Sequence, residues 1–447
     1  MRIGFAKNDI TPRIGVELCG FGPFLCRKSI GVRDRLWARA MAVEHEGRRA
    51  VLVSLDLIGT ALPITERVRA PVQQHAAIPP EALLLCSSHT HSGPCTGPYI
   101  GWGEPDPVYI ETLPSRIATA CLAALDRFRE AELAHVEVPC EGIGCNREYD
   151  ADAQPLEVVL RDGWRPAKPE LTDTTCHVLT ARADGKLLGF LSYFGCHPVV
   201  CCEATRYIHG DYAGVATNLL ERENPGSVGL FLQGAQGDVN TCVVHKPEAE
   251  SLLALDVIAA RYANAVRQGI AQAKAFAADR LAWARRQVTF SRKPWGIEKL
   301  RALLADQEAK LHGLDATDDP PKDAYPVRIA MVYATALRRL IARAEAGQPL
   351  ADPTEVAGLR IGPVAVLGSG FETFQAIKNE IVSQASGPVT LVAGLVNDSV
   401  GYAPDRTAAA RGGYAADMVP FICAQLPYAN AHDELVRELL AMDASMV

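Results

Sequence analysis

The segment 87–94, Ser-Ser-His-Thr-His-Ser-Gly-Pro, concentrates imidazole and hydroxyl groups directly after an apolar run. The loop after a buried strand is where α/β enzymes place reactive groups. Two histidines two positions apart on extended backbone point to the same side. His89 and His91 can therefore bind one metal together, or one can bind a metal while the other faces a substrate. The alternative is a polar loop without chemistry.

Other histidines and carboxylates also follow apolar runs. His197 lies in Gly-Cys-His-Pro, directly after a predicted strand. Asp211 opens a predicted helix, where it suits the N-cap, and His209 just before it is either a metal ligand or an ordinary loop residue. Together with Asp56 and Asp238, His209 and Asp211 are candidate ligands for a second metal ion.

Three further features have a polar character. The glycine-rich turn 233–240 can leave backbone N–H groups free for an anion, although such turns are common. Glu372 is predicted to lie at the start of a helix, where the helix dipole favours a carboxylate. Tyr402 and Tyr414 flank a loop, and tyrosines in such loops usually belong to the surface or the core.

The elements that must position these residues alternate between short apolar runs and amphipathic patterns. The predicted strands of the first half are 37–43, 50–56, 82–86, 133–138, 176–183, 187–194 and 228–232. The predicted helices are 64–75, 109–128 and 212–222. This alternation indicates an α/β fold with a central mixed β-sheet flanked by helices.

Helical patterns dominate the next part of the chain. They cover 252–286, 297–311 and 327–346, with a break at 313–325 where Asp-Asp-Pro-Pro occurs. The segment 285–350 is predicted to be a helical insertion or cap within a single domain that spans 1–447. Strands at 355–361, 364–367 and 389–395 and a helix at 373–381 follow.

Composition restricts the class of protein. Of 447 residues, 48% are hydrophobic and 22% are charged, with a net charge of −7, which is typical of a globular protein and unfavourable for nucleic acid or an anionic membrane surface. No apolar stretch is long enough to span a bilayer. Thirteen cysteines without a CxxC pair, and an N-terminus without a long apolar segment, predict a cytoplasmic protein with reduced thiols.

Taken in order, these motifs resemble the catalytic domain of the neutral/alkaline ceramidase family, over most of the chain. The most specific element is His-Thr-His-Ser-Gly-Pro at 89–94. The other matching elements are Asp9-Ile10-Thr11-Pro12, Gly20-Phe21-Gly22, Asp34, Leu36, Ala38, Asp56, Asn146-Arg147, His197-Pro198, Gly210-Asp211, Gly214, Gly237-Asp238-Val239, Gly370, Glu372, Gly401-Tyr402 and Gly413-Tyr414.

The resemblance implies one Zn²⁺ per chain, held by two histidines, a glutamate and a tyrosine. The matching residues are His89, His197, Glu372 and Tyr402. Zinc with such ligands polarises a carbonyl and lowers the pKa of a bound water. The resemblance also implies that His91 hydrogen-bonds the oxyanion or the leaving group and that Arg147 and Tyr414 face the substrate.

The sequence departs from the family pattern in two places. Ceramidases carry Gly-Asp-Val-Ser-Pro, whereas 237–241 here is Gly-Asp-Val-Asn-Thr, so Asn240 replaces the serine. Asparagine cannot act as a hydroxyl nucleophile, but its amide can donate a hydrogen bond to an oxyanion. Ceramidases also have a C-terminal immunoglobulin-like domain and usually a secretion signal, and neither is predicted here. Both departures make ceramide a less favourable substrate.

The resulting prediction is a zinc-dependent hydrolase that cleaves a linear amide bond of a small soluble molecule by metal-activated water. His91 and Asn240 would stabilise the tetrahedral intermediate, and Arg147 would hold an anionic or polar substrate group. The alternatives are an esterase or lactonase that uses the same site, and a binding protein that keeps the metal pocket without catalysis. No nucleic acid and no stable membrane association are expected, and homo-oligomerisation is left open.

Overall fold

The computed structural model describes residues 1–149, 154–315 and 325–447. The first sheet is built around Arg48–Leu55, whose last six residues are all buried. Such continuous burial is typical of a strand that is covered on both faces. Helices Leu62–Ala76 and Pro107–Leu125 pack together, and the second of them packs on the sheet. The strands lie in the order Leu83–Ser87, Arg48–Leu55, Trp37–His45, Arg2–Asp9 and Arg129–Glu130.

The second sheet packs against the first through strand Val228–Gln233. Ser54 Oγ donates to the Phe231 carbonyl at 2.7 Å across this contact. Helices Asp211–Glu223 and Glu248–Gln272 pack together, the first against strand Val228–Gln233 and the second against other strands of this sheet. The strands lie in the order Val228–Gln233, Lys186–Phe194, Thr175–Ala183, Glu132–Pro139 and Lys274–Ala275.

The third sheet shows that one predicted helix is wrong in its last part. The helix predicted over 252–286 ends at Gln272, and Leu281–Val288 is a strand. The Ala and Arg residues of this segment favour a helix, but full antiparallel pairing with Thr354–Ile361 prevails over that local propensity. The strands lie in the order Leu281–Val288, Thr354–Ile361, Val364–Ser369 and Val389–Ala393, and helices Gln375–Gln384 and Ala431–Ser445 pack on this part.

Two helices occupy much of the segment 285–350. They are Ile297–Asp315 and Tyr325–Glu345, and they pack against each other. The first helix continues through Asp315, so the break predicted at 313 comes too early, and residues 316–324 lie outside the described residues. The rings of Tyr333 and Phe421 lie 4.9 Å apart and attach the pair to the short helix Val419–Ile422.

Short elements complete the fold. Two-stranded ladders join Gly31–Val32 to Tyr207–Ile208, Gly144–Asn146 to Val239–Thr241, and Glu372–Thr373 to Tyr402–Ala403. The short helices are Pro80–Ala82, Leu156–Val159, Pro169–Leu171, Arg406–Arg411, Tyr414–Met418 and Val419–Ile422. The predicted α/β class with mixed parallel and antiparallel strands is confirmed, and the strands divide among several sheets. Within the described ranges, no helix combines the length and the apolar character that crossing a bilayer requires.

Arg39 joins the first sheet to helix Asp211–Glu223. Its guanidinium donates to Asp56 Oδ2 at 2.8 Å, to Glu221 Oε1 at 3.2 Å and to Asn218 Oδ1 at 2.7 Å. The side chains of Arg39 and Asp56 are 1% and 2% exposed. Removing one partner of a buried ion pair leaves a charge without compensation in a medium that solvates it poorly.

We therefore expect Arg39→Met to lower the free energy of unfolding by about 3–5 kcal/mol, measured by denaturant titration. Arg301→Met is the matched control, because Arg301 pairs with Glu298 and Glu345 at the surface, and exposed pairs contribute about 0–1 kcal/mol. An equal loss in the two variants would contradict a structural role for the buried cluster.

Candidate metal centre

Three of the predicted site residues lie just beyond the ends of strands, one from each of the three main sheets. His89 follows Leu83–Ser87 of the first sheet, and His197 follows Lys186–Phe194 of the second. Glu372 lies beyond Val364–Ser369 of the third sheet and is paired directly with Tyr402 in a parallel ladder. The loops at the carboxyl ends of these strands therefore meet at one point.

The side chains of these four residues converge. Glu372 Oε2 lies 2.9 Å from His197 Nε2 and 3.1 Å from His89 Nε2. Tyr402 Oη lies 3.3 Å from His197 Nε2. All four residues are buried. The structure thus brings together the whole ligand set that the resemblance implied.

The Nδ1 atoms of His89 and His197, on the outer side of each ring, are hydrogen-bonded to backbone carbonyls. His89 Nδ1 donates to the Ile58 carbonyl and His197 Nδ1 to the Gln236 carbonyl, each at 2.6 Å. A carbonyl only accepts, so the proton of each neutral ring is on Nδ1 and the lone pair is on Nε2. Backbone partners of this kind orient histidines that bind metals.

The charge distribution around Glu372 favours a bound cation. Burial, although opposed by Glu372, lowers the pKa of His197 to about 4. Imidazole lone pairs therefore face a carboxylate at hydrogen-bond distance, which is unfavourable unless a cation lies between them. Nitrogen and oxygen donors of this kind suit Zn²⁺.

His91 lies beside these residues and depends on a glycine. Its Nε2 is 3.2 Å from His89 Nε2, and its buried Nδ1 has no hydrogen-bond partner. A Cβ on Gly20, whose φ is +95°, would lie 2.4 Å from His91 Nδ1. His89 itself has a φ of +71°, a left-handed conformation that is rare outside glycine and is found at functional sites.

A polar cavity opens on one side of the centre. It encloses about 850 Å³ including its mouth. His91 and His197 line it together with four other predicted site residues, Arg147, Asn240, Tyr402 and Tyr414. Every site residue predicted from the sequence thus contributes to the four-residue centre or to the wall of this cavity.

Arg147 is held in this cavity by aromatic rings. Its guanidinium lies 4.8 Å from the centroid of Tyr402 and 5.5 Å from that of Tyr414, within the range of cation–π attraction. Its backbone N–H donates to the Asp238 carbonyl at 2.9 Å. Nη2 of Arg147 is buried without a hydrogen-bond partner, so it remains free to bind a substrate.

A second, apolar cavity adjoins the centre on the side of Glu372 and Tyr402. Its volume is about 450 Å³ including its mouth. The apolar part of its wall was not predicted from the sequence, because an apolar side chain at a cavity wall has no signature that distinguishes it from a core residue. The apolar and sulfur-bearing residues of the wall are Cys19, Ile58, Tyr99, Trp102, Val419, Ile422 and Cys423.

The side chains of Asn240 and Thr241 point to opposite faces of their strand, as successive residues of a strand do. Asn240 lies in the ladder strand Val239–Thr241 and faces the polar cavity. Thr241 is fully buried, and its Oγ1 donates to the Val243 carbonyl at 2.8 Å. Within the described residues, no serine or threonine lines either cavity.

The thiols of the apolar cavity are poor nucleophiles. Burial raises the pKa of Cys423 to about 12, and burial together with Cys95 raises the pKa of Cys19 well above its usual range. The thiolate, which is the reactive form, is therefore scarce at neutral pH.

Three of the four candidate ligands for a second metal ion have other roles. Asp56 pairs with Arg39, and Asp238 accepts from the Gln375 N–H at 2.9 Å. Asp211 is the first residue of its helix, and Gly210 is the N-cap, so the predicted capping role is wrong. Its carboxylate accepts from the backbone N–H groups of Val200, Cys201 and Tyr212 instead.

One further position differs from the prediction. Glu372 lies in a short strand, and the helix begins at Gln375. Pairing with Tyr402 holds this backbone extended, so the carboxylate is positioned by the ladder rather than by a helix terminus. A Cβ on Gly237 would lie 2.5 Å from the Glu372 carbonyl, so a glycine is required for this close approach.

Comparison with known proteins identifies relatives of this chain. The neutral ceramidase of Pseudomonas aeruginosa is 26% identical over 263 residues, which cover 55% of this chain and 38% of that protein. The aligned part is thus well under half the length of this relative. The crystal structure of that neutral ceramidase matches with a TM-score of 0.75 at 21% identity, over 99% of this chain and 74% of the other.

A second solved structure, of a ceramidase complexed with C2, matches with a TM-score of 0.74 at 20% identity, over 99% of this chain and 75% of the other. At these identities the structures establish the fold. The family model for the N-terminal part of neutral/alkaline non-lysosomal ceramidases matches residues 1–250. Since this match covers more than half of the chain, the protein belongs to the neutral/alkaline non-lysosomal ceramidase family.

Proposed function

We propose that this protein is a zinc-dependent hydrolase that cleaves a linear amide bond of a small molecule by attack of water. The observation that carries the proposal is the convergence of His89, His197 and Glu372, whose donor atoms face one another with the outer ring nitrogens bonded to the backbone. Membership in a family of amide-cleaving enzymes supports the same chemistry.

His89, His197, Glu372 and Tyr402 would hold the zinc ion. When bound, zinc supplies Lewis-acid polarisation of the substrate carbonyl and a lowered pKa for water. The remaining residues of the chain orient the substrate and stabilise charge. His91 presents Nε2 beside the ligands, where it can donate to the developing oxyanion or serve the leaving nitrogen.

Two donors in the polar cavity complete the proposed site. The Asn240 amide faces the cavity and can donate to the oxyanion. Arg147 offers its unpaired Nη2 to an anionic or polar substrate group, while Tyr402 and Tyr414 hold the guanidinium in place. We assign the apolar cavity beside Glu372 to an apolar group of the substrate.

The esterase or lactonase alternative uses the same residues, and a non-catalytic pocket would keep the ligands alone. Parallel assays of acyl anilides and the matching acyl esters separate these functions. Turnover of anilides supports the amidase, turnover of esters alone supports the first alternative, and metal binding without turnover of either supports the second.

We also propose a reducing, cytoplasmic location. Apart from Cys145, the cysteines of the described ranges are free thiols, and all of them except Cys26 are buried. Disulfides are common in oxidising compartments and rare in the cytosol, so a set of buried thiols of this size supports the proposal.

The metal assignment predicts about one zinc per chain after gel filtration in metal-free buffer, as expected of a single mononuclear site. His89→Ala and His197→Ala should each remove the metal and the activity, because each deletes one of two neutral nitrogen ligands. Elemental analysis checks this, with the exposed His75→Ala as the matched control. Full metal content in both ligand variants would place the site elsewhere.

The cavity walls predict direct attack by water without a covalent acyl-enzyme. Asn240→Ala should reduce turnover about 10²-fold, as the loss of one oxyanion donor does, without abolishing it. In a single turnover in ¹⁸O-labelled water, the product acid should carry the label and the intact protein mass should not change. An acyl adduct on any serine, threonine or cysteine, or a first product without label, would overturn this mechanism.

The size of the apolar cavity predicts a preference for short acyl chains. In a series of amides with one amine and increasing acyl length, kcat/KM should fall as the chain outgrows the apolar cavity beside Glu372, whose roughly 450 Å³ includes its open mouth. Long-chain ceramide in detergent micelles should be hydrolysed poorly, with the neutral ceramidase of Pseudomonas aeruginosa as the positive control. Efficient cleavage of long-chain ceramide by this protein would refute the proposed substrate class.

A further inference from the structure

A second group of metal-ligating side chains lies on the second sheet. His135 and Glu137 are two positions apart on strand Glu132–Pro139, so they share one face. His177, on the neighbouring strand Thr175–Ala183, is the direct cross-strand partner of Glu137. Cross-strand partners project to the same face, so the register alone brings the three side chains together.

The donor atoms have the spacing of ligands to one ion. His135 Nε2 lies 3.2 Å from His177 Nδ1, and His177 Nδ1 lies 3.7 Å from Glu137 Oε1. Two ligands of a tetrahedral zinc at bond lengths of about 2.0–2.2 Å are themselves about 3.3–3.6 Å apart. The observed distances lie close to this range without movement of the strands.

The site is both supported and accessible. The imidazole rings stack with centroids 5.4 Å apart, and the edge of Tyr193 packs against His177 at 5.5 Å. Tyr193 is itself fixed, because its hydroxyl donates to the Val392 carbonyl at 3.0 Å. The side chain of His177 is 15% exposed and that of Glu137 is 55% exposed, which leaves a solvent side for water ligands.

The protonation of the two rings suits metal binding. Burial lowers the pKa of His135, and burial together with His135 lowers the pKa of His177 to about 4. Both rings are therefore neutral at pH 7 and can offer a lone pair. The ion pair between Asp173 and Lys378 lies nearby, and its two charges shift the pKa of His177 in opposite directions.

A third grouping, of Cys201, His209 and Asp211, is less suited to a metal although it is fully buried. The Asp211 carboxylate already accepts from backbone N–H groups, among them that of Cys201. His209 Nδ1 accepts from the Asp211 N–H at 3.1 Å. The Asp211 carboxylate and His209 Nδ1 are thus occupied at the entry into a helix, and His209 Nε2, which has no hydrogen-bond partner, carries the ring proton and offers no lone pair.

We propose that His135, Glu137 and His177 form a second, solvent-accessible site for a late first-row divalent cation such as Zn²⁺. His135 binds through Nε2, His177 through Nδ1 and Glu137 through one carboxylate oxygen, and water completes the coordination. The ion joins two adjacent strands, neither of which contributes a residue to the candidate metal centre. It therefore stabilises the second sheet without taking part in hydrolysis.

Calorimetric titration of the gel-filtered protein with Zn²⁺ tests the site. We expect one further zinc per chain, and His135→Ala and His177→Ala should each weaken its binding at least tenfold, whereas Glu137→Gln should weaken it less. His75→Ala, an exposed histidine on another element, should bind like the wild type. Zinc should also raise the Tm of the wild type and leave that of His177→Ala unchanged, because an ion that binds only the folded state stabilises it.

Circular dichroism and Tm without added zinc must match between wild type and variants, so that a loss of binding is not a loss of folding. The same further zinc should bind His89→Ala, which separates this site from the proposed catalytic metal, and amide turnover is not the readout. Absence of a further zinc in the wild type, or unchanged binding in the double variant His135→Ala/His177→Ala, would show a hydrogen-bonded pair of neutral histidines only.

Discussion

The burial of the Glu372 carboxylate against two imidazoles is the constraint on which the rest of the site depends. A buried carboxylate is stable only when it is paired, and here its neighbours at 2.9 and 3.1 Å are ring nitrogens whose lone pairs face it. The backbone carbonyls of Ile58 and Gln236 enforce this arrangement, because they take the proton of each ring on the outer side. The protein thus holds together metal-ligating atoms that repel one another, and a bound cation removes this repulsion.

The surrounding structure serves to keep these atoms in place. Each main sheet sends one strand end to the centre, and two short ladders outside those sheets fix Glu372, Tyr402 and Asn240. Gly20 and Gly237 are required because a side chain at either position would collide with His91 or with the backbone of Glu372. A site built from separate sheets needs such rigid local supports, since a displacement of about 1 Å is enough to impair catalysis.

The two cavities differ in the polarity of their walls. Arg147 and Asn240 make one side polar, whereas Ile58, Val419 and Ile422 make the other apolar. Asn240 supplies an amide hydrogen-bond donor on the polar side and carries no hydroxyl. The thiols on the apolar side do not substitute for it, because burial keeps them protonated.

Many of the strands and helices were predictable from the sequence, because local hydrophobic patterns determine them. Alternating apolar runs predicted seven of the ten strands of the first two sheets but missed Arg2–Asp9, Arg129–Glu130 and Lys274–Ala275. The family resemblance, rather than a local pattern, implied the ligand set of His89, His197, Glu372 and Tyr402. Tertiary structure decided the rest. Leu281–Val288 became a strand because Thr354–Ile361 was there to pair with it, against the local preference for a helix.

The walls of the apolar cavity and the His135–Glu137–His177 cluster likewise arise from packing and strand register. The residues of each set are distant along the chain, and only the folded backbone brings them to a few ångströms. Types and local spacing of residues therefore determined which chemistry this protein can perform, whereas long-range contacts determined where its groups meet, which protons they keep and what they leave open for a ligand.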